Sequence, residues 1–335
     1  MGKATRIVVT GATGFLGKHL VEQLRAGGQP LRLLCRTGSA VAGAEVVRGD
    51  VTSAEDVNGA LEGAGEVYHL AGLVSRDPKD AGRLYRVHIE GTRNVCEAAL
   101  RHGVEKVVAV SSSGTIAVSR EPSVHDEHSG YKHDVVGEWP YYLSKMFAEK
   151  LALAYARERR LPVVIANPSL LLGPGDERGS STGDVSLFLR GELLAMPAGG
   201  VNFVDARDVA QGLIAAMRAG RPGERYLMGG VNWSVRKLVE ALSELSGVAK
   251  PKLELPAGLA AWGARLLRGA APWIGQKYQG PDEATVRMAA LYWYCDSSKA
   301  RAELGFQAQD PIETLRDTIA DLWAPGAGAG SAAGA

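Results

Sequence analysis

Residues 6–17 constrain the fold more strongly than any other part of this chain. A run of β-branched residues is followed by a turn with three glycines and by the start of a helical pattern. Gly11 permits a sharp turn, Gly14 lets backbone N–H groups approach a pyrophosphate, and Gly17 lets the helix pack closely on the strand. A pyrophosphate would rest on the helix N-terminus, where the dipole and free N–H groups favour an anion. The residues of this turn that we expect to bind a dinucleotide are Gly11, Thr13, Gly14, Phe15, Leu16 and Gly17.

Strand-like runs and helical patterns alternate along the first half of the chain. The strand-like runs lie at residues 6–10, 31–35, 45–48, 67–70, 106–110 and 163–166, and the helical patterns at 14–26, 53–62, 81–102 and 141–159. A buried strand followed by a helix of three or more turns forms a βαβ unit. Repetition of this unit predicts a Rossmann-type α/β fold, a doubly wound parallel sheet with helices on both faces.

The pattern changes after Gly173. A loop region rich in Gly, Ser and Pro follows, and the chain beyond residue 234 is mostly helical. A short strand and a helix near residues 203–218 would return to the first domain. The expected parts are a dinucleotide-binding domain of residues 1–173 plus 203–229, a smaller, mostly helical substrate lobe of residues 174–202 plus 230–323, and a disordered tail of residues 324–335.

Charge and cysteine content exclude several classes of protein. Lys plus Arg number 38 and Asp plus Glu 37, and this balance gives no electrostatic footprint for nucleic acid or an anionic membrane. Cys35, Cys96 and Cys295 are widely spaced and odd in number, which excludes a fully paired disulfide framework and offers no zinc-ligand spacing. The N-terminal apolar run is too short for a secretory signal, and arginines and prolines interrupt the apolar residues 255–274. We expect a reduced, cytoplasmic chain without a membrane span or a metal site.

The ends of the next strands predict the rest of the nucleotide site. The second strand ends at Arg36 with no acidic residue to bind a ribose 2′-hydroxyl, so a 2′-phosphate and NADP(H) are favoured. NAD(H) stays open, because an arginine can also stack on adenine. Asp50 and Val51 follow the third strand and are placed for the adenine amine, although Asp50 also suits a helix N-cap region. The residues after the fourth strand that would pass close to the dinucleotide are Leu70, Ala71 and Gly72.

A tyrosine, a lysine and a serine cluster supply the candidate chemistry. Tyr141 and Lys145 are four residues apart at the start of a helix, so they share one face. An ammonium beside a phenol favours the phenolate and lowers the pKa of the tyrosine, which can then exchange a proton with a carbonyl or alcohol oxygen. Residues 111–113 are three serines at the end of the fifth strand. Because the carboxyl ends of parallel strands line the ligand crevice, a serine hydroxyl there can hold the reacting oxygen.

The order of these motifs resembles the extended short-chain dehydrogenase/reductases, which include the NAD-dependent epimerase/dehydratase family. Residues 87–99, 203–210 and 295–306 are similar to further local motifs of that family. Residues 111–115 and 166–174 look like its dihydroflavonol-reductase and hydroxysteroid-dehydrogenase branch. By this resemblance, the catalytic residues are Ser112, with Ser113 as the fallback, Tyr141 and Lys145, and Pro168 lies against the nicotinamide.

The resemblance implies hydride transfer between a nicotinamide cofactor and a carbonyl group. Ser112 would hold the oxygen, Tyr141 would protonate it, and Lys145 would lower the pKa of the tyrosine and hold the nicotinamide ribose. Substrate walls are expected from residues 119–139, residues 176–200 and the C-terminal lobe. The apolar residues 255–274 favour a lipophilic small molecule such as a terpenoid or steroid ketone. A homodimer is compatible with the resemblance, through the helix before the fifth strand and the helix that bears Tyr141.

Several alternatives stay open at this point. A nucleotide-sugar epimerase or dehydratase with tightly bound NAD is one, and a non-catalytic dinucleotide-sensing protein is another. His88 stands where the family often has asparagine, and it either substitutes in a proton relay or fills a polar gap in the helix. The loop before Tyr141 contains His125, His128 and His133, which we interpret as polar loop residues rather than as metal ligands.

Overall fold

The computed structural model describes residues 6–37, 41–193, 195–255 and 283–324. The strands are β1 (Arg6–Thr10), β2 (Leu31–Cys35), β3 (Ala44–Arg48), β4 (Ala64–His69), β5 (Lys106–Val110), β6 (Val163–Pro168), β7 (Leu170–Leu172), β8 (Met196–Pro197), β9 (Gly200–Asp205), β10 (Arg225–Met228), β11 (Val231–Ser234), β12 (Glu254–Leu255) and β13 (Tyr292–Trp293). The helices are α1 (Phe15–Ala26), α2 (Ala54–Ala60), α3 (Ala81–Tyr85), α4 (Gly91–His102), α5 (His133–Val136), α6 (Pro140–Arg159), α7 (Gly183–Leu189), α8 (Ala206–Ala219), α9 (Val235–Ser246), α10 (Glu283–Ala289), α11 (Ser298–Leu304) and α12 (Pro311–Trp323). A π-helical turn, Arg86–Glu90, joins α3 to α4.

A parallel sheet of seven strands forms the centre of the described structure, in the order β10-β6-β5-β4-β1-β2-β3. Strands β2 and β6 are buried along their whole length, as expected for a sheet that is covered on both faces. The strand order reverses between β1 and β4, and ligands bind at such a switch point, beyond the carboxyl ends of the strands. The structure therefore confirms the doubly wound parallel sheet.

Each face of this sheet has its own hydrophobic core. On one face Leu20 of α1, Leu213 of α8 and Leu304 of α11 belong to one buried cluster. On the other face Val57 of α2 and Val95 of α4 pack in a second cluster with residues of α6. The catalytic candidates on α6 are thus anchored to the second face by the packing of their own helix.

A smaller sheet, β11-β9-β13 with β7 paired to β9, belongs to the second lobe. Helices α7, α9 and α12 contribute Phe188, Leu242 and Leu315 to its core. Strand β9 departs from our expectation, because it lies in this sheet and not in the central one. Phe203 packs in the lobe core whereas the next residue, Val204, packs in the main core, so the chain crosses between the two cores at the end of β9. Helix α8 and strand β10 then return to the central sheet as expected. The domain boundaries themselves stay predictions.

Three further expectations concern the surface and the cysteines. The three cysteines are buried free thiols. No helix in the described ranges is both long and apolar enough to cross a membrane. The apolar residues 255–274 fall outside the described residues, except for Leu255, and so does the tail from residue 325.

Candidate active site

The glycine turn between β1 and α1 has the geometry of a phosphate cradle. Gly11 adopts a φ of +75°, and a Cβ on Gly17 would lie 2.1 Å from the carbonyl oxygen of Gly11. Gly14 is the N-cap of α1, and no side chain caps the helix or places an acid in its first turn. The first amides of α1 therefore keep their capacity for an anion, which is the fit that a dinucleotide pyrophosphate requires. Around the turn, Thr13 is exposed, Phe15 is half-buried and Leu16 is buried.

The adenosine end of the site is built by the next two strands. Arg36 is exposed just beyond the end of β2. The Asp50 carboxylate accepts hydrogen bonds from Thr52 N at 2.9 Å and from Thr52 Oγ1 at 2.8 Å, while Ser53 provides the side-chain cap of α2. Val51 is buried beneath α4. Asp50 thus has the turn-forming role that we kept open beside adenine binding.

The segment after β4 follows the glycine turn closely. Leu70 N donates to the carbonyl oxygen of Thr10 at 3.1 Å, and Ala71 N donates to Thr10 Oγ1 at 3.2 Å. A Cβ on Gly72 would lie 3.3 Å from His88 Nε2 and 3.4 Å from Lys145 Nζ. The nucleotide turn and the Lys145 region therefore meet at this segment.

The structure brings Ser112 and Tyr141 together, although they belong to different elements. Ser112 caps a short 3₁₀ turn after β5, and its hydroxyl is near enough to the Tyr141 phenol to act on its pKa. Burial raises the pKa of Tyr141 to about 12, and the Ser112 hydroxyl acts to lower it. Ser113 is buried, and the Oγ of Ser111 is buried without a hydrogen-bond partner among the described residues. Of the three serines, Ser112 is the one that meets the phenol.

Lys145 lies one turn further along α6. Its ammonium donates to the carbonyl oxygen of Val110 at 3.0 Å. Burial lowers the pKa of Lys145 to about 8, and the Glu149 carboxylate acts to raise it. Our expectation that Lys145 lowers the pKa of Tyr141 is wrong. Desolvation of the phenolate dominates, and the ammonium is held by the backbone.

His88 links the segment after β4 to the first turns of α6. Its Nε2 accepts from Leu73 N at 3.1 Å, and its Nδ1 lies 2.8 Å from Ser144 Oγ, which in turn donates to the carbonyl oxygen of Tyr141 at 2.8 Å. Because the Ser144 hydroxyl gives its proton to the Tyr141 carbonyl, it accepts a proton from His88 Nδ1. Nε2 is an acceptor, so the imidazole is neutral and carries its proton on Nδ1. Burial, with the Lys145 charge nearby, lowers the pKa of His88 to about 2. His88 thus supports the first turn of α6 as well as filling a polar gap.

Aromatic rings form one wall beside Tyr141. The Tyr141 and Tyr142 ring centroids are 5.0 Å apart, and Tyr142 stacks on Trp293 of β13 with centroids 5.0 Å apart. Trp139 and Met288 belong to the same apolar cluster. Pro168 is buried at the end of β6, where it pairs with β10. Aromatic and apolar side chains therefore form the wall of the site next to Tyr141.

Sequence reasoning missed two buried polar residues near the site. His69 lies with Nδ1 2.8 Å from Thr10 Oγ1 and Nε2 3.2 Å from Thr92 Oγ1. Glu149 is buried on α6, four residues beyond Lys145. The available signal was its spacing, which puts it on the helical face of Tyr141 and Lys145, and a carboxylate on a buried face is unusual unless something binds it. The three loop histidines are not gathered, and no group of three or more His, Cys, Asp or Glu side chains within the described ranges has a metal-binding arrangement.

Comparisons with known proteins agree with this geometry. The family described as "NAD dependent epimerase/dehydratase family" matches residues 7–229. A protein named "Putative dihydroflavonol 4-reductase" from Synechocystis sp. is 33% identical over 322 residues, covering 93% of this chain and 92% of the relative. "Sterol demethylase protein B" from Methylococcus capsulatus is 33% identical over 327 residues, covering 93% of this chain and 97% of the relative.

The solved structures are similar over nearly the whole chain. The crystal structure of gox2253 has a TM-score of 0.82 and 31% sequence identity, and the match covers 96% of this chain and 98% of that one. A parallel sheet with a glycine-rich first turn, the family match over most of the chain and these full-length relatives all lead to one assignment. The chain is an enzyme of the NAD-dependent epimerase/dehydratase family.

Proposed function

We propose that this enzyme reduces a ketone, or oxidises the corresponding alcohol, on a hydrophobic small molecule. The observation that carries the proposal is that the Ser112 hydroxyl acts on the Tyr141 phenol, one helical turn from Lys145 on α6. A phenol that gives a proton and a hydroxyl close to it can hold one carbonyl oxygen between them.

The chain's own groups divide the work of this reaction. When bound, the reduced nicotinamide supplies a hydride to the carbonyl carbon. Ser112 holds the carbonyl oxygen, and Tyr141 gives its phenolic proton to the developing alkoxide. Lys145, four residues from Tyr141 on α6, supplies a positive charge that would favour the phenolate against the opposing effect of burial. The reverse oxidation uses the same groups with the proton moving back to Tyr141.

NADP(H) is the proposed cofactor within this NAD-dependent family. Gly11, Gly14 and Gly17 would hold the pyrophosphate at the start of α1, and residues 70–72 would pass beside it. The exposed Arg36 follows β2 directly, and its guanidinium suits a 2′-phosphate. These features support a preference for the phosphorylated cofactor.

The substrate class follows from the walls of the site. The stacked pair of Tyr142 and Trp293 presents apolar rings next to Tyr141. Two full-length relatives have names that refer to a flavonol and to a sterol, both of which are ring systems. A lipophilic ring ketone is therefore the proposed substrate. The proposed homodimer, through α4 and α6, rests on the family resemblance.

Cofactor oxidation measured at 340 nm tests the proposal. NADPH and NADH are supplied in parallel with a panel of lipophilic ring ketones. We expect turnover with NADPH in excess of that with NADH, a smaller difference in Arg36→Ala, and a loss of about 10²-fold or more in Tyr141→Phe, since that variant has no proton to give. Tyr155→Phe on the same helix is the matched control, because its hydroxyl binds Glu97 far from the site.

Two outcomes would contradict this function. Equal turnover in Tyr141→Phe and Tyr155→Phe would exclude the phenol as the proton donor. Absence of turnover with every ketone, together with NAD that stays bound through purification, would favour the nucleotide-sugar epimerase or dehydratase instead.

A further inference from the structure

Glu149 is buried on α6, one helical turn beyond Lys145. Donors from four different parts of the chain bind its two oxygens. They are Tyr131 OH at 3.1 Å and Arg225 Nη1 at 3.3 Å on Oε1, and Asn167 Nδ2 at 2.8 Å and Thr115 Oγ1 at 3.2 Å on Oε2. Donors on both oxygens and an arginine partner are what a buried carboxylate needs to remain charged.

Arg225 does not face Glu149 alone. Its guanidinium lies over the Tyr131 ring, 4.8 Å from the centroid, and its Nη2 donates to Tyr131 OH at 3.4 Å. The guanidinium of Arg225 thus contacts both the Glu149 carboxylate and the Tyr131 ring. Lys145 lies four residues before Glu149 on α6, so the two side chains share one face of the helix.

Lys145 and Glu149 line the same internal cavity, whose volume is about 20 Å³. Ser111 also lines it, and its Oγ is buried without a hydrogen-bond partner among the described residues. Both groups are buried and border one small cavity, so the charge of Glu149 acts on the Lys145 ammonium at low dielectric.

The other titratable groups that face Lys145 carry no compensating charge. His69 of β4 and His88 of the π-helical turn line the cavity, and burial keeps the pKa of these imidazoles at about 3 and about 2. Tyr141 on α6 is a neutral phenol with a raised pKa. Among the residues that line the cavity, Glu149 is the only carboxylate.

We propose that Glu149 is a positioning residue that keeps Lys145 in its charged form beneath the reacting phenol. Its catalytic consequence rests on the proposed reductase function, but its electrostatic action does not require turnover. Glu149 touches neither substrate nor cofactor in this role. It acts through Lys145, and the Arg225, Asn167, Thr115 and Tyr131 contacts hold it in place.

The test is the pKa of Lys145, measured without any substrate. Competitive labelling of the intact protein with acetic anhydride over a pH series, followed by peptide mass spectrometry, gives this pKa directly. In Glu149→Gln we expect it to fall by about one pH unit or more, because a nearby opposite charge is lost while the shape is kept. Glu149→Asp should recover most of the difference, since it restores the charge.

Glu158→Gln is the matched control. It removes the same charge from the same helix at an exposed position, so the pKa of Lys145 should stay at its wild-type value. If turnover is found, the alkaline limb of its pH profile should move to lower pH in Glu149→Gln and stay in place in Glu158→Gln. A folded Glu149→Gln protein with an unchanged Lys145 pKa would overturn the proposal.

A second variant covers the case in which Glu149→Gln does not fold. Arg225→Gln removes the arginine partner that the buried carboxylate needs to remain charged. The pKa of Lys145 should therefore fall, although loss of a nearby cation would by itself raise it, and a rise or no change would contradict the proposal. The labelling result also separates this inference from the proposed function. A chain with no reductase activity but with the expected Lys145 shifts would disprove the reaction and retain the role of Glu149.

Discussion

Two neutral imidazoles lie next to a buried ammonium at the centre of this enzyme. His69 is held between Thr10 and Thr92, and His88 between Leu73 N and Ser144. Both rings are buried, and burial together with the Lys145 charge lowers their pKa values to about 3 and about 2. In the unfolded chain an imidazole has a pKa of about 6.5. Between about pH 3 and pH 6.5, the two histidines therefore bind more protons in the unfolded state than in the folded state.

This difference predicts a loss of stability in acid. Because the unfolded state binds more protons, the free energy of unfolding is highest above pH 6.5 and falls as the pH decreases below it, by about 1.4 kcal/mol per pH unit for each histidine. His88→Asn removes one of the two, and its amide oxygen can still accept from Leu73 N. Urea unfolding at a series of pH values should show a shallower acid slope in this variant. Equal slopes in the two proteins would mean that His88 takes up a proton without unfolding.

At the scale of single elements, the turn into α1 depends on close backbone contact. Gly17 is the first-turn residue of α1 that lies against the carbonyl of Gly11, and a Cβ there would also lie 2.9 Å from Ala12 Cα. These neighbours are backbone atoms, so they cannot move aside as a flexible side chain would. The position of α1, and hence of its free amides, follows from the absence of one methyl group.

Gly17→Ala should therefore weaken both folding and nucleotide binding. We expect a loss of about 1–3 kcal/mol in the free energy of unfolding, as in other overpacked sites, and a clear loss of NADPH affinity. Gly59→Ala on α2 is the control, because nothing lies within 4 Å of its added Cβ and alanine favours a helix by up to about 1 kcal/mol. Thermal unfolding and fluorescence titration with NADPH check both effects. Wild-type affinity in Gly17→Ala would contradict the assigned role of the turn.

At the scale of the whole molecule, the two lobes are joined across the mouth of the site. Arg76, in the segment after β4, binds Asp184 of α7 through two bonds of 2.9 and 3.1 Å, and Thr285 of α10 at 3.0 Å. The charges of Arg76 and Asp184 act in opposite directions on the pKa of Tyr142, the neighbour of Tyr141. This bridge is largely exposed, so it contributes little to stability, about 0–1 kcal/mol. Its effect is on the placement of the substrate lobe.

Arg76→Ala should accordingly change substrate binding more than stability. We expect the KM for the carbonyl substrate to rise several-fold, while the Kd for NADPH and the melting temperature remain near their wild-type values. Arg316→Ala, which removes an exposed partner of Glu313 within α12, provides the control. Steady-state kinetics and calorimetry measure these quantities. An unchanged KM in Arg76→Ala would show that the lobes keep their arrangement without this bridge.

Much of this architecture could be predicted from local patterns in the chain. Strands β1 and β2 have the predicted bounds, and α6 begins one residue before the predicted helix, at Pro140. Each of these elements is dictated by residues that are neighbours in sequence, through apolar periodicity or turn chemistry. The i, i+4 spacing of Tyr141 and Lys145 is local in the same sense. For this reason the sheet, the nucleotide turn and the Tyr141 and Lys145 pair were accessible without coordinates, whereas the choice of Ser112 among three serines came from the family resemblance.

Other features depend on residues that only the folded chain brings together. Thr10 and His69 are 59 residues apart, and His88 and Ser144 are 56 residues apart, yet each pair shares a buried hydrogen bond. The direction of the Tyr141 pKa was predicted wrongly because spacing shows a nearby lysine but does not show desolvation. The sheet to which β9 belongs was misassigned because Phe203 and Val204 face different cores. Periodicity and turn chemistry are short-range and can be read along a chain, whereas burial, charge pairing and the protonation states of the site are long-range and exist only after the chain has folded.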